Sequence, residues 1–154
     1  MGWAGEGTVE GRLWGGCLEV LVWALAADRA VPSLERLEGA VLLVETDEEL
    51  PSADDVRRAL TCLGERGVLE RVGAVLVGRP ATRSHLSEPP AGERERYRER
   101  QREVVLEWVR RYNESAPVVT GLDVGHTTPV APLPVGGRVR VDADAERIEF
   151  PGPG

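Results

Sequence analysis

Lysine is absent from this chain. All nineteen basic residues are arginine, they face twenty-six carboxylates, and the formal net charge is −7. Phosphate neutralisation needs a basic face, so the balance argues against a nucleic-acid partner. The arginine-only usage reads as a coding or salt-adaptation bias and carries no chemistry of its own. Long apolar runs are also missing. The longest, around Leu18 to Ala27, is interrupted by Glu19 and falls short of the ~18–20 residues that span a bilayer. The first residues show no basic segment followed by an apolar one, so no signal peptide is expected. A soluble, cytoplasmic chain without a membrane partner is the default reading. Cysteine occurs twice, at Cys17 and Cys62, and histidine twice, at His85 and His126. The cysteines have neither zinc-site nor framework spacing and read as buried free thiols in a reducing compartment. No Gly-x-Ser-x-Gly elbow, Gly-Lys-Ser/Thr phosphate loop or Gly-x-Gly-x-x-Gly dinucleotide pattern occurs.

The 154 residues, about two fifths of them apolar, suffice for one domain with a real core. No internal repeat or linker divides them, so residues 1–154 are read as a single unit. Met1 to Gly7 is glycine-rich and expected to be loose unless something packs on it. Thr8 to Trp14 alternates weakly as a strand, Gly15-Gly16 breaks it, and Cys17 to Ala27 recurs at helical spacing. Ala40 to Glu45 and Val72 to Val77 are near-continuous branched apolar runs, the mark of parallel strands covered on both faces. Between them, Ser52-Ala53-Asp54-Asp55 opens a helix with a capping serine and acidic first turn. Glu93 to Asn113 predicts a long amphipathic helix, Pro117 to Thr120 a third strand, and Arg138 to Val141 with Arg147 to Phe150 a closing hairpin. Phe150 is expected to be the last packing residue. The fold class is therefore α/β, a mixed sheet with flanking helices and a C-terminal β-hairpin.

The strand Val41-Leu42-Leu43-Val44-Glu45 delivers a carboxylate to a sheet edge, where open α/β sheets gather their binding residues. Glu45 is either such a group or a solvent-facing residue that ends the strand. Asp47, Glu48 and Glu49 follow it and suggest a divalent cation, but no second ligand cluster or glycine-pinned loop accompanies them. His126 sits in the turn Val124-Gly125-His126-Thr127-Thr128-Pro129, a polar loop suited to a general base or to an ordinary loop histidine. His85 reads as surface. Gly15-Gly16 reads as a close-approach site at a helix N-terminus. Cys17 beside it makes a Cys17–His126–Glu45 triad conceivable, against the reading of a small buried hydrophobe. Ser33, Ser52, Ser84, Ser87 and Ser115 occupy caps and connectors, so no serine nucleophile is in view.

Five segments in order carry a resemblance. They are Gly11-Arg-Leu-Trp-Gly-Gly-Cys-Leu-Glu19, Leu42-Leu-Val-Glu-Thr46, Val75-Leu-Val-Gly-Arg79, Pro117-Val-Val-Thr-Gly121 with Gly125-His126-Thr127, and Leu133-Pro-Val-Gly136. Together they resemble the C-terminal domain of the LD-carboxypeptidase family of serine peptidases, which includes the microcin C self-immunity peptidases. The resemblance runs from about Gly7 to Phe150. It implies a swivelling β/β/α-type domain that supplies the triad residues Glu45 and His126, with Gly15 and Gly16 at the substrate and with no metal or other cofactor. It implies that the nucleophilic Ser lies on an N-terminal domain that resembles class I glutamine amidotransferases. Met1 falls near the junction of the two, so that domain is expected to be absent here and the isolated chain inactive. The substrate implied is the L,D-linked tetrapeptide of peptidoglycan or, in the self-immunity branch, a peptidyl- or aminoacyl-nucleotide amide. Gly-Gly-Cys where carboxypeptidases commonly have Gly-Gly-Asn leans toward that branch. Homodimers are expected from the resemblance. A non-catalytic module that keeps a ligand pocket is the other class carried forward.

Overall fold

A computed structural model describes residues 1–84 and 88–152 of the chain. His85 and Ser87 lie outside the described residues. Seven strands form one mixed sheet in the order β1-β5-β4-β3-β2-β6-β7: β1 Gly2–Ala4, β2 Thr8–Cys17, β3 Val41–Glu45, β4 Ala74–Gly78, β5 Val118–Leu122, β6 Arg138–Asp142 and β7 Arg147–Glu149. Strands β2, β3, β4 and β5 are parallel, and β1, β6 and β7 add antiparallel edges. This is the mixed sheet with flanking helices and closing hairpin expected from the apolar pattern, and it has the swivelling β/β/α-type architecture.

The long strand β2 serves two neighbours. Thr8 to Arg12 pairs with β6, and Leu13 to Cys17 pairs with β3. The sheet curls at this change of partner, and β6 swings over one face. Strand alternation then sorts the core. Leu42, Val44, Val75 and Val118 face the helices α1 Leu18–Ala27, α3 Ala53–Glu65 and α5 Ala91–Tyr112. Leu13, Val41, Leu43, Leu76 and Val119 face the other way, onto Val139 and Val141 of the hairpin, Leu122 at the end of β5 and Val124 of the loop after it. Two short helices, α2 Leu34–Leu37 and α4 Val68–Arg71, fill the connections.

Helix α3 starts as its sequence dictates. The Ser52 hydroxyl accepts from the Asp55 N–H at 3.2 Å, and the Asp55 carboxylate accepts from the Ser52 N–H at 3.0 Å. Such a capping box stabilises a helix start by about 1 kcal/mol. Helix α5 packs on α3 through Val104, Val105 and Val109. Its polar core residues reach across, with Tyr97 Oη and Gln101 Nε2 both donating to the Pro51 carbonyl, at 2.9 and 2.7 Å.

Four local expectations are corrected. Gly15-Gly16 does not break the strand, and β2 runs through both to Cys17. Gly15 is required there because a Cβ would land on the Leu43 carbonyl oxygen, so the backbone it approaches closely is β3. Residues 2–4 are not loose, since they pair antiparallel with β5. Cys62 is exposed on α3, because its position falls outside the Val56–Leu60–Leu63 stripe. Phe150 follows β7 and is exposed, so it closes nothing. Helix α1 is apolar apart from Glu19 and buries only Leu18, Leu21 and Leu25, which leaves Val20 and Trp23 exposed. Among the described residues, no helix is long and apolar enough to cross a membrane.

Candidate active site

Strand parity determines where Glu45 points. It follows Val41 and Leu43 on the face that carries the β5 end and its loop, at the carboxyl end of a central parallel strand. Its side chain is only 9 % exposed. An isolated carboxylate at that depth is costly unless it is hydrogen-bonded or paired. The partner is His126, 81 positions later, whose Nδ1 lies 2.9 Å from Glu45 Oε2. Glycine at 125 makes this approach possible. Its φ is +92°, and a Cβ there would overlap the Glu45 carboxylate. Gly78 flanks Glu45 from the β4 side, where a Cβ would press on Glu45 Cβ.

The loop that holds His126 is fastened by Arg79, at the end of β4. Its Nε and Nη2 both donate to Asp123 Oδ1, at 3.0 and 2.7 Å, and Nη2 also reaches the Thr128 carbonyl at 3.5 Å. The Arg79 N–H donates to the Leu122 carbonyl at 2.7 Å, and the Ala131 N–H closes the loop onto the Asp123 carbonyl at 2.6 Å. Asp123 and Thr128 bracket His126, so one guanidinium grips both ends of its turn.

His126 is 41 % exposed and meets a second carboxylate on its other nitrogen. Glu48 Oε2, 49 % exposed, stands 3.4 Å from Nε2. The hydrogen bond to Glu45 raises the imidazole above its ordinary value of 6.5. Burial opposes this, and the charges of Glu45, Glu48 and Asp47 add to the rise. The ring is thus oriented by a buried acid on one side and open on the other to groups that can displace Glu48.

Two cavities adjoin the pair. One, of about 480 Å³, runs from Glu45 and Thr46 beneath α5, past Leu18, Val77 and Val105. The other, of about 620 Å³, opens on His126 and Thr127 and is walled by arginines from β4 and α5. Arg79 and Arg98 line both. No serine among the described residues lines either cavity. Among the described residues, no three His, Cys, Asp or Glu side chains converge as a metal site requires.

The structure brings Glu45 and His126 together and leaves Gly15 and Gly16 outside both cavity walls. A Cβ on Gly16 would meet nothing within 4 Å. Cys17 ends β2 opposite Glu45, but its thiol is not activated. Burial pushes it up to about 11, and its S–H donates to Glu19 Oε2 at 3.2 Å. A neutral thiol is a poor nucleophile, so the Cys17 triad is set aside. Sequence reasoning missed Arg79 and Gly125 as supports of the site and weighed Glu48 only as a metal ligand. For Arg79 the available signal was position, since it directly follows a buried strand.

Comparison with known proteins bears on the family and the fold. The LD-carboxypeptidase C-terminal domain family matches residues 10–141. The microcin self-immunity protein MccF of Escherichia coli is 30 % identical over 148 residues, which are 95 % of this chain and 38 % of that protein. A Vibrio cholerae protein carrying a provisional carboxypeptidase name is 29 % identical over 142 residues, 91 % of this chain and 37 % of its own. The crystal structure of an MccF-like protein from Streptococcus pneumoniae in complex with AMP superposes with a TM-score of 0.78 at 29 % identity, covering 98 % of this chain and 44 % of that one. The chain therefore spans about two fifths of the length of the curated relatives it matches.

Proposed function

The chain belongs to the LD-carboxypeptidase C-terminal domain family, and on that premise we propose that it supplies the acid and base of a Ser–His–Glu triad whose serine lies on polypeptide outside these 154 residues. The observation that carries the reading is the 2.9 Å contact between a buried carboxylate and a histidine on a polar loop. With Nδ1–H donated to Glu45, the free lone pair of His126 is on Nε2. That nitrogen takes the proton of the attacking hydroxyl and returns it to the leaving amine, while Glu45 stabilises the imidazolium. An incoming hydroxyl displaces the exposed Glu48 carboxylate. No step calls for a metal or other cofactor. Gly16 enters as the open strand end along which an extended substrate backbone lies, with Gly15 setting the strand beneath it. Self-association into a homodimer, to be read by light scattering, is part of the same proposal.

The substrate class we favour is a peptidyl- or aminoacyl-nucleotide amide. The self-immunity name of one relative and the AMP complex of another support it. A murein tetrapeptide is the second reading, supported by the carboxypeptidase name of the Vibrio relative. The test joins this chain to the preceding part of the Escherichia coli relative and assays both substrates. The soluble fusion is expected to cleave one of them and to lose nearly all activity on His126→Ala or Glu45→Gln, and the unfused chain to cleave neither. Undiminished cleavage by a folded His126→Ala fusion would sink the proposal. Cleavage by the unfused chain, lost on His126→Ala, would equally refute the need for an outside serine.

A further inference from the structure

The cavity of about 620 Å³ beside His126 has a composition that the general-base role of His126 does not explain. Among the described residues, four arginines line it against one carboxylate, Glu95, in a chain whose net charge is −7. Arg79 comes from the end of β4, and Arg94 and Arg98 stand one turn apart on α5. Arg83 is at the rim, paired with Glu88 at 3.1 Å. Arg79 is committed to Asp123, but the other two are held lightly. Arg94 donates to the Pro89 carbonyl at 3.2 Å and stands 3.8 Å from Glu88, and Arg98 reaches Glu95 at 3.2 Å and the Thr82 hydroxyl at 3.3 Å. Glu88 and Glu95 are 66 % and 73 % exposed, and ion pairs of that kind contribute little and exchange readily.

Two lining residues also carry unmet demands. Arg98 Nε and Thr127 Oγ1 are buried and have no hydrogen-bond partner. A buried donor left without an acceptor costs about 1–3 kcal/mol. One belongs to Arg98 of α5 and the other to the residue after His126, and both residues line the cavity. Charge, planar bidentate donors and orphaned N–H and O–H groups together describe a receptor for an oxyanion.

We propose that the arginine-lined pocket beside His126, built by Arg94 and Arg98 of α5 with Arg79 and Thr127, is the subsite that binds the substrate's anionic group, a carboxylate or a phosphate. The proposal rests on the reading of His126 as the general base, because that reading puts the bond to be cut at the pocket mouth. It makes Arg94 and Arg98 specificity residues. They anchor the charged end of the substrate, and the scissile amide extends from it toward His126 Nε2.

The test needs no catalysis. The 154-residue chain is titrated at low ionic strength with inorganic phosphate, AMP and N-acetyl-D-alanine, by calorimetry and by ¹H–¹⁵N spectra that also verify the fold. At least one ligand is expected to bind and to move the His126 and Thr127 resonances. Arg94→Gln and Arg98→Gln are each expected to weaken it about tenfold, the loss of one charged hydrogen bond. Arg58→Gln, on the exposed face of α3, is expected to leave affinity unchanged. Preference for phosphate and AMP assigns the pocket to a nucleotide phosphate, and preference for N-acetyl-D-alanine assigns it to a terminal carboxylate. Failure of all three ligands to bind, or equal binding by the folded Arg94 and Arg98 variants, overturns the subsite. The same samples report His126. If no anion binds while the ring keeps its Glu45-dependent upward shift, the subsite falls and the triad reading stands. If anions bind through the arginines while His126 titrates independently of Glu45, the triad reading falls and the subsite stands.

Discussion

The strand end that carries Glu45 and the loop that carries His126 meet at 2.9 Å, yet unlike forces hold them. Glu45 is fixed by burial. It terminates a strand whose other four residues are all core, between two parallel neighbours, and the sheet ladder sets its direction. His126 is fixed by polar ties. Its turn hangs on one guanidinium, one glycine and the carboxylate it contacts. Glu45 therefore has the rigidity of the core, while His126 has that of a few exchangeable hydrogen bonds. In the proposed triad, this arrangement keeps the orienting group stationary and concentrates adjustment at the group proposed to exchange protons.

Three substitutions break or sharpen that contrast. Gly125→Ala acts on both sides at once and should have the largest effect. A methyl group there collides with the Glu45 carboxylate, at a φ of +92° that alanine resists. A cost of about 1–3 kcal/mol is expected in urea unfolding, and His126 should titrate close to its ordinary value once Glu45 is displaced. An unchanged midpoint together with an unchanged titration would show that the loop is not pinned at this contact. Arg79→Ala acts on the loop alone. Stability should fall by less than about 1 kcal/mol, as for other partly exposed pairs. Amide exchange should accelerate at residues 123–128 and stay constant in β3. Equal acceleration in both would mean that strand and loop open as one unit.

Glu48→Gln should have the smallest effect, and pH reveals it. The folded-state value of His126 is raised above 6.5, so its pairing stabilises the fold fully below that pH and the contribution fades as pH rises through the folded value. Removing the Glu48 charge should move this fade toward lower pH by less than Glu45→Gln does, because Glu45 makes the dominant contribution. Urea midpoints measured across the neutral range, with NMR titration of the ring, test the order. A larger displacement in Glu48→Gln than in Glu45→Gln would reverse the assignment of the orienting acid.

The buried elements were legible because their signals are local. The apolar run of β3, the Ser52 cap of α3 and the helical spacing of α5 each require only neighbours in sequence. Strand β1 was illegible, since Gly2-Trp3-Ala4 has no alternation and exists because β5, more than a hundred residues on, offers an edge. Gly15-Gly16 looked like a break for the same reason. Gly15 answers to the Leu43 carbonyl across the sheet and not to the chain beside it. At the site, sequence identified both members of the Glu45–His126 pair as candidates, and local pattern left each with a bland alternative. The strand parity that turns Glu45 toward the loop and the Arg79 tie that holds His126 in front of it both depend on the assembled sheet.

The change of partner along β2 has a consequence for synthesis. The segment Thr8 to Arg12 leaves the ribosome more than a hundred residues before its neighbour β6, Arg138 to Asp142. While the residues between them are made, the outer half of β2 is an unpaired strand edge, exposed to whatever other β-strand it meets. Glu10 and Arg12 lie on that edge, and in the finished sheet Glu10 pairs with Arg138 at 3.0 Å. Until the hairpin arrives, their charges guard the nascent chain against the wrong partner, and its arrival pairs Glu10 with Arg138 and brings Arg12 to the Gly136 carbonyl.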